Sequence, residues 1–354
     1  MWYIFNVHFD LQGVMDDGVN IIKIEHHYHF CDVLSFETSY THELYQSLVV
    51  GNILSRGVDK KGYRIHSVEI QEQSKTIIGH AYGLESILDQ RVVNTPLTLS
   101  MDADETMHEL VRRFISFDYV GAPEYPLAKV MNFIHEPIYE PSGTYISDTY
   151  YGTSLYSVIS ELSKASQVGY RVRFHPNAQN YAFETYLGKD LTSRQSENAP
   201  VIWRSAWGDT REETFLLSKK DYKNTVFLKS GDDENPISLS YSDGIPLGWD
   251  RYEMFSEATD IKRDMGDGLI WSDAQVRKAL ENRGKLEVYR NFMVNDFTFV
   301  LNEDISQVFQ IDYNVGDVVS VVNEVYGITK HSRIVTVTET IIQDKSQFEV
   351  KFED

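Results

Sequence analysis

The chain has 354 residues and a formal net charge of -20, with an isoelectric point near 4.9. This acidity argues against tight nucleic-acid binding, because a protein that grips phosphates needs a basic surface. The single cysteine, Cys31, excludes an intrachain disulfide, and no apolar stretch approaches the ~18 residues of a membrane-spanning helix.

The composition, with 42% hydrophobic and 24% charged residues, is typical of a folded protein long enough for several cores. The 22 tyrosines favour interfaces, because tyrosine combines contact area with a polar tip. The N-terminus has no basic region followed by an apolar run, so we expect no signal peptide. The protein is expected to stay in the cytosol or to leave it by a route that needs no signal.

Residues 1–95 are predicted to form a small β-barrel or sandwich. The runs 19–24, 64–70 and 76–83 are rich in β-branched residues and are separated by turn formers. Short strands at this spacing indicate a compact all-β unit.

Residues 96–199 change to an α+β pattern. Asp102 followed by Glu105 is a capping-box arrangement that predicts a helix, and a second helix is predicted from Ser154 with Gly169 just past its end. Residues 170–174 and 181–186 alternate and are predicted to pair as strands. Helices packed on a small sheet follow from this order.

Residues 200–354 are predicted to form a second small β-barrel, built from 200–235 and 305–354. The segment 236–304 is predicted to be inserted in it and to contain a helix with Ser272 and Gln275 as a capping box; Gly284 is expected to end this helix early. Three β-branched runs within residues 312–352 predict a three-stranded meander. The predicted fold class is therefore α+β, mostly β, with two similar small β-barrels separated by an α+β region.

A short internal repeat relates the two predicted barrels. Gly51-Asn52-Ile53-Leu54 is followed by Arg64-Ile65-His66-Ser67-Val68, and Gly316-Asp317-Val318-Val319 by Arg333-Ile334-Val335-Thr336-Val337. Both stretches have the order Gly, polar, apolar, apolar, then a loop, then Arg-Ile-x-x-Val. The pattern predicts a duplicated β-unit, and chance remains the alternative explanation for so short a match.

The sharpest candidate for a chemical site is the run His26-His27-Tyr28-His29-Phe30-Cys31. On a strand, His27, His29 and Cys31 would share one face and are zinc-type ligands. Three successive positions on one strand rarely supply tetrahedral angles, so a half-buried structural strand is favoured, and metal is predicted to be dispensable. A role for His26, His27 and His29 is left open.

Other candidate sites are favoured as structural. The pair Asp102 and Asp104 lies at a predicted helix start, where acids complement the helix dipole. Asp264-Met265-Gly266-Asp267-Gly268 resembles a calcium loop, but its twelfth position holds Gln275 where an EF-hand needs Glu. Trp203 and Trp207 flank Arg204 and could stack on sugars, although a core or interface role is favoured. We expect no catalytic, cofactor-binding or metal-binding residues.

Four blocks in order resemble the tail hub proteins of siphophages and prophages, including the N-terminal hub part of tail-associated lysins. They are residues 68–93 with Gly83-Leu84-Glu85-Ser86-Ile87-Leu88, residues 155–174 with Gly169-Tyr170-Arg171-Val172, residues 219–226 with Tyr222-Lys223-Asn224, and residues 312–339 with Asp312-Tyr313-Asn314-Val315-Gly316-Asp317. The chain departs from the family pattern at Gln90 and Val315, and neither position has a catalytic role in the family.

The resemblance implies a structural baseplate hub at the virion tail tip, assembled in the host bacterial cytoplasm, without enzymatic activity or cofactor. It implies a homotrimer whose paired barrels form a ring with six-fold pseudo-symmetry. That ring would join the hexameric tail tube or distal tail protein to a three-fold tip, and would contact the tape measure protein and tip, fibre or lysin proteins. DNA would pass through the ring without specific binding, which the acidic charge favours.

Two other functions stay open at this point. A peptidoglycan- or carbohydrate-acting tail enzyme would need a cleft with paired carboxylates or a metal. A monomeric host-binding module would use the tyrosine-rich surface. The assembly state separates both from the trimeric hub.

Overall fold

The structure, a computed structural model, describes residues 1–15, 21–56, 60–95, 97–115, 133–136, 144–264, 270–291, 294–302, 305–342 and 345–353. These residues form 21 strands and four α-helices, so the fold is mostly β, as the sequence predicts. No helix in these ranges is long and apolar enough to cross a membrane.

The strands before residue 103 are β1 (Trp2–Phe5), β2 (Leu11–Met15), β3 (Ile21–His27), β4 (Val33–Ser39), β5 (Ile53–Ser55), β6 (Tyr63–Gln71), β7 (Thr76–Gly83) and β8 (Leu97–Asp102). Those up to residue 204 are β9 (Phe133–Glu136), β10 (Tyr145–Tyr150), β11 (Gly169–His175), β12 (Asn180–Tyr186) and β13 (Ile202–Arg204). The remainder are β14 (Thr210–Ser218), β15 (Thr225–Ser230), β16 (Ser238–Ser242), β17 (Glu253–Ala258), β18 (Val294–Leu301), β19 (Val318–Asn323), β20 (Ile328–Ile342) and β21 (Lys345–Glu353). The helices are α1 (His42–Ser47), α2 (Ala103–Phe114), α3 (Leu155–Ser166) and α4 (Asp273–Arg290).

Thirteen strands form one large sheet in the order β14-β18-β21-β20-β3-β4-β7-β6-β5-β1-β2, with β19 on β20 and β13 on β19. Neighbours along the main path are antiparallel. The two closed barrels predicted from the sequence are not found among the described strands. Instead, β20 pairs with β3, so the early and late strands share one open sheet.

The predicted repeat occupies equivalent places in this sheet. Arg64 lies opposite Ile53, and Arg333 lies opposite Val318. Each strand pair begins at a glycine with φ +98 whose amide donates to the carbonyl of the isoleucine after the arginine, at 2.8 Å for Gly51 and 2.7 Å for Gly316. In both β6 and β20 the register shifts just after that isoleucine. The two meanders β5-β6-β7 and β19-β20-β21 are therefore built alike.

The equivalence continues into the next two strands. Ala81 of β7 and Phe352 of β21 are equivalent, because each lies opposite the isoleucine of the repeat. Leu34 of β4 lies opposite Ala81, and Phe297 of β18 lies opposite Phe352, so β4 corresponds to β18. Ile24 of β3 lies opposite Leu34, and Phe215 of β14 lies opposite Phe297, so Ile24 corresponds to Phe215. We call β3, β4, β6 and β7 the first four-strand unit and β14, β18, β20 and β21 the second.

Each four-strand unit has its own apolar core. The first buries Ile24, Leu34 and Ile65 with the N-terminal Trp2. The second is aromatic, with Trp203 in edge contact with Phe299 and Tyr313 at ring-centroid distances of 5.6 and 5.0 Å. Two cores beneath one continuous sheet fit a chain of this length.

The middle of the chain packs α2 and α3 against the sheet β11-β12-β9. The predicted strand pair is found with Tyr170 opposite Thr185. The predicted helix starts are correct, although the side chains of Asp102 and Ser154 make no capping hydrogen bond. The tyrosine- and proline-rich stretch 119–151, whose weak periodicity predicts a loop with short strands, lies partly outside the described residues. Residue 167 rather than Gly169 ends α3, since Gln167 has the left-handed φ of 57°.

An inserted segment between β14 and β18 holds the sheet β16-β15-β17 and helix α4. The predicted capping box forms. The Ser272 backbone amide donates to Gln275 Oε1 at 2.9 Å, and the Gln275 backbone amide donates to Ser272 Oγ at 3.4 Å. The expectation that Gly284 ends α4 is wrong. A Cβ at this position would lie 2.6 Å from Tyr241, so glycine lets the helix continue against β16.

We predict that Gly316→Ala destabilises the protein by about 2 kcal/mol more than Gly152→Ala. Both glycines have positive φ, so both substitutions strain the backbone, but only at Gly316 would the new Cβ meet a neighbour, 2.4 Å from Tyr28. Thermal melting of the two variants beside the parent measures the difference. Equal losses would show that Tyr28 does not restrict this position.

Candidate assembly site

The two four-strand units meet at the β3–β20 pair, which we call the seam. Six residue pairs join these strands, from Ile22 opposite Ile341 to His27 opposite Thr336. The side chains of Ile24 and Val337 are buried beneath the seam. Strand pairing across the seam thus joins residues about 300 positions apart, as shown by the 3.1 Å contact of His27 Nδ1 with Thr336 Oγ1.

A buried ionic network lies under the seam. The carboxylate of Asp32 accepts from the ammonium of Lys61 and, at 2.8 Å, from the backbone amide of His27. The His26 ring lies 3.2 Å from Asp32 and 3.6 Å from Glu339, and Arg56 donates to Glu339 at 3.0 Å. Asp32, Arg56 and Lys61 lie just outside the early strands β4, β5 and β6, and Glu339 lies on β20, so these charges tie the two units together.

The network keeps its carboxylates ionised. Burial alone would raise the pKa of Asp32, but the ammonium of Lys61 and the His26 ring hold that pKa well below its usual range. Burial opposes ionisation of Glu339 as well, and His26 with Arg56 lowers its pKa to about 2. Both acids are therefore charged at neutral pH and depend on their cationic partners.

The histidine run does not form the regular strand that the zinc hypothesis needed. Strand β3 ends at His27, because the Asp32 carboxylate accepts a hydrogen bond from the His27 backbone amide and the chain bends through residues 28–30. His29 instead contacts Ser163 Oγ at 2.8 Å, and burial together with Arg333 and Lys164 lowers its pKa to about 3. Within the described ranges, no group of His, Cys, Asp and Glu is arranged to hold a metal ion.

One buried acid behind the seam is of a different kind. Glu85 accepts from the Val172 amide at 2.8 Å and lies 4.0 Å from Cys31 Sγ. Burial, reinforced by the charge of Asp32, raises the pKa of Glu85 to about 7. Glu85 and Asp32 both line a cleft of about 580 Å³ between the first unit and the middle of the chain.

The remaining sequence candidates are separated in space. Trp203 is buried in the second core, whereas Trp207 is exposed under Arg204, whose guanidinium lies 4.7 Å from the ring centre. Asp104, at the start of α2, has its pKa raised to about 6 by burial and by Asp102. The calcium-like run is described only at Asp264, since residues 265–269 lie outside the described ranges.

The opposite face of the sheet, away from both cores, is polar. On the central strand it carries only Thr336, Thr338 and Thr340 between Arg333 and the strand end. The charged side chains on the flanking strands β3, β6 and β21 that lie in the rows of these threonines are Lys23, Glu25, Arg64, Glu349 and Lys351. The next row, that of Ile342, adds Glu37, Glu69 and Lys345. We call this surface the polar face; acids and bases are equal in number in these rows.

The outer strands of the two units leave edges open. Beyond Ile65, strand β6 pairs only with β7, and β14 pairs only with β18 among the described strands. Ile70 on β6 and Phe215, Leu216 and Leu217 on β14 are exposed. Long exposed edges with apolar side chains are rare on isolated proteins, because they template pairing with another chain.

Sequence reasoning missed Asp32, Lys61 and Glu339 as site residues. One signal was available for Glu339, because the alternation of β20 places it on the same face as the core residue Val337. Nothing local marks Lys61 or Asp32, whose importance arises only when β3 meets β20.

We predict that Lys61→Met weakens the seam by about 3 kcal/mol, because it leaves the buried carboxylate of Asp32 without its cation. The matched control is Lys23→Met, which removes an exposed ammonium 2.7 Å from Glu25 and is expected to cost under about 1 kcal/mol. Hydrogen exchange of the β3 and β20 amides reports the opening free energy of the seam. Similar exchange in both variants would contradict the network.

We predict that Glu85→Gln removes a pH dependence of stability. In the wild type the folded pKa is about 7 against 4.5 for the free side chain, so stability is complete below pH 4.5 and falls as pH rises towards 7. That shift corresponds to a loss of up to about 3 kcal/mol. Glutamine keeps an acceptor for Val172, so the variant should melt higher than wild type at pH 8 but not at pH 4. A constant difference across this range would contradict the assignment.

Known proteins share this architecture at the level of sequence family and of fold. The family model of siphovirus ReqiPepy6 Gp37-like proteins matches residues 1–352. No curated protein sequence matches the chain.

Three solved tail proteins share its fold. Prophage tail protein gp18 from Listeria monocytogenes has 13% identity and a TM-score of 0.56, with 99% of this chain and 93% of that chain covered. The tail protein from Neisseria meningitidis has 11% identity and a TM-score of 0.58, covering 100% and 96%. The prophage MuSo2 43 kDa tail protein from Shewanella oneidensis has 12% identity and a TM-score of 0.55, covering 95% and 94%. The resemblance noted in the sequence is thus confirmed: the chain shares the fold of these phage tail proteins and belongs to the siphovirus ReqiPepy6 Gp37-like family.

Proposed function

We propose that this chain is the structural hub subunit of a phage tail tip, and that three copies close head to tail into a ring around a DNA channel. The observation that carries the proposal is the seam. Inside one chain, the second unit already pairs with the first through β20 and β3. The strands equivalent to these, β6 and β14, are the ones whose edges are open.

The equivalence of the units predicts the register between copies. Within the chain, Thr336 of β20 lies opposite His27 of β3. Ser67 of β6 is equivalent to Thr336, and Ser218 of β14 is equivalent to His27, so Ser67 of one copy is expected opposite Ser218 of the next. The same shift places Val68 of one copy opposite Leu217 of the next. It also places Ile70 opposite Phe215, so the exposed apolar side chains of both edges meet in pairs.

Burial supports this reading of the edges. His26, which lies in the seam, is 0% exposed, whereas the equivalent Leu217 on β14 is 57% exposed. A difference of this size at matched positions is expected if Leu217 lacks a partner strand that His26 has. Pairing with β6 of another copy would supply that strand and satisfy the open backbone groups.

The polar face supports a channel. Closing the sheet into a ring with the cores outward would turn this face to the lumen. Threonines on β20 are surrounded by acids and bases in equal number, so the face offers DNA phosphates no net positive charge. Phosphates would therefore pass without the salt-dependent grip of a basic surface.

The ring we propose would join tail components of different rotational symmetry. Three chains with two units each present six similar units, which suits a hexameric tail tube or distal tail protein on one side and a three-fold tip on the other. The partners are the distal tail protein, the tape measure protein, and tip, fibre or lysin proteins, at the virion tail tip after assembly in the host cytoplasm. We assign residues 1–95 to the first hub domain, 96–199 to an α+β domain, and 200–354 to the second hub domain.

We propose no enzymatic activity. The cleft containing Asp32 and Glu85 holds two carboxylates with separated pKa values, the feature that an alternative tail hydrolase would need. Both oxygens of Asp32 are, however, engaged with Lys61, His26 and the His27 amide, and Glu85 accepts from Val172. Both acids are thus occupied by partners within the fold, so the geometry favours the hub.

The paired variant Ser67→Cys with Ser218→Cys tests the ring. If the copies associate in the predicted register, these positions face each other on neighbouring chains and oxidise to an intermolecular disulfide. The native Cys31 is buried and should not interfere. We expect non-reducing gels to show a ladder that ends at a closed species of three chains.

Two controls fix the interpretation. Ser67→Cys with Leu217→Cys shifts the register by one residue and puts the thiols on opposite faces, so it should not cross-link. His27→Cys with Thr336→Cys places the thiols in the seam and should cross-link within one chain. Absence of intermolecular disulfide in the test pair while the seam pair oxidises, or closure at another number of chains, would overturn the proposed ring.

A further inference from the structure

The small sheet of the inserted segment has one covered face and one bare face. Helix α4 covers the side of Val226 and Leu228, which are buried. The other side presents Phe227 and Phe255, which lie opposite each other on β15 and β17, with Phe255 64% exposed. The exposed ion pair of Lys229 with Glu257 borders them, and the Arg251 guanidinium lies 6.0 Å from the Phe227 ring centre.

A loop beside that face extends the apolar surface. It links β16 to β17 across the start of β15, where the Asp243 amide donates to Asn224 O at 3.0 Å and Asn224 Nδ2 donates to Asp250 O at 2.6 Å. Ile245 and Leu247 are exposed there, and Trp249 is 97% exposed. We define the aromatic face by Phe227, Ile245, Leu247, Trp249 and Phe255.

The aromatic face is large enough for a protein contact. Its five side chains expose on the order of 600 Å² of apolar surface. That exceeds what scattered hydrophobic residues leave on an ordinary monomer. It approaches the ~800 Å² that one partner contributes to a standard interface.

The chain's own body lies on the other side of the inserted segment. Helix α4 stands between the small sheet and strand β10, and Arg283 on α4 donates to Asp148 on β10 at 2.6 Å. The same guanidinium donates to Asp260 at 2.7 Å. The aromatic face therefore points away from the middle of its own chain, on the side where a neighbouring copy would adjoin the end of β14.

Head-to-tail pairing determines which part of the neighbouring copy lies beside the inserted segment. Strand β14 ends at Ser218, where the inserted segment begins, and in the predicted register the next copy's Ser67 lies opposite that residue. Because the two strands are antiparallel, the residues of the next copy's β6 that precede Ser67 lie beside the start of the inserted segment. The first of them, Tyr63, lies opposite Gly83 within its own sheet. The segment 84–186 of that copy starts immediately after Gly83, and so is brought beside the inserted segment.

We propose that the aromatic face binds the segment 84–186 of the next copy of this chain, forming a second intersubunit contact outside the sheet. This rests on the proposed head-to-tail ring. The segment offers apolar side chains for it, because Val92 and Tyr151 are exposed and their strands are joined where the Gly152 amide donates to Val93 O at 2.7 Å. Each copy would thus contact its neighbour through a polar-faced sheet edge and through an aromatic layer.

A photo-cross-linking residue tests the occupant. Phe255→p-benzoylphenylalanine is introduced into the Ser67→Cys, Ser218→Cys ring, which is assembled from an equal mixture of ¹⁴N and ¹⁵N chains. We expect cross-linked peptides of mixed isotope composition that join position 255 to residues 84–186. The control Lys278→p-benzoylphenylalanine places the probe on the exposed side of α4 and should give no such mixed products.

Association provides a second readout. Trp249→Ser with Phe255→Ser should weaken association of the otherwise native chain at least tenfold in sedimentation, with an unchanged melting temperature, because both side chains are exposed. Trp207→Ser removes another exposed tryptophan, 67% accessible, elsewhere on the chain and should leave association unchanged.

The outcomes separate the two proposals. Mixed cross-links to 84–186 support the aromatic contact. A disulfide ring whose cross-links stay within one chain, or reach other parts of the neighbour, overturns the aromatic contact and leaves the ring intact. Failure of the disulfide ring itself overturns both.

Discussion

The structure depends on one antiparallel pairing, between β3 near the start of the chain and β20 near its end. Without it the two four-strand units would be separate sheets, each with an exposed edge. Strand pairing alone does not specify this junction, because backbone hydrogen bonds are alike everywhere. The buried charges of Asp32 and Glu339, each matched by a cation or a histidine ring, fix which strands meet and in which register.

The seam also explains why the rest of the chain has its shape. The described part of residues 84–186 leaves the first unit and packs beside the second, where Gln167 accepts from Arg333 at 3.0 Å and Tyr28 donates to the Gln167 carbonyl at 2.9 Å. The inserted segment follows β14, the counterpart of β3, and β3 and β7 end on the same side of the sheet because both are antiparallel to β4. If the units follow one another around a ring, each junction between neighbouring units is covered by one of these segments. Contacts between copies and the passage of DNA would then use opposite surfaces of the same strands.

The local pattern of the sequence predicted much of this fold. Alternation identified the β19–β21 meander and the β11–β12 pair, and the Ser272 and Gln275 box marked the start of α4 correctly. The Arg-Ile repeat led to equivalent strand positions. The seam could not be predicted, since no short-range pattern names a partner strand about 300 residues away. The regular strand assumed for His27, His29 and Cys31 does not form, because the Asp32 carboxylate accepts from the His27 amide and β3 ends there. The early end at Gly284 failed because close helix–sheet packing, and not helix termination, requires that glycine.

The seam inside one chain is proposed to be repeated between chains, and this repetition is what the hub function requires. The most direct measurement is a density map of the assembled protein, resolved well enough to trace β6 and β14 of adjacent copies. We expect three copies, with Ile70 of one opposite Phe215 of the next and the row of Thr336, Thr338 and Thr340 facing a continuous lumen. Copies that meet through other surfaces while the edge of β14 stays open to solvent would contradict the proposed ring.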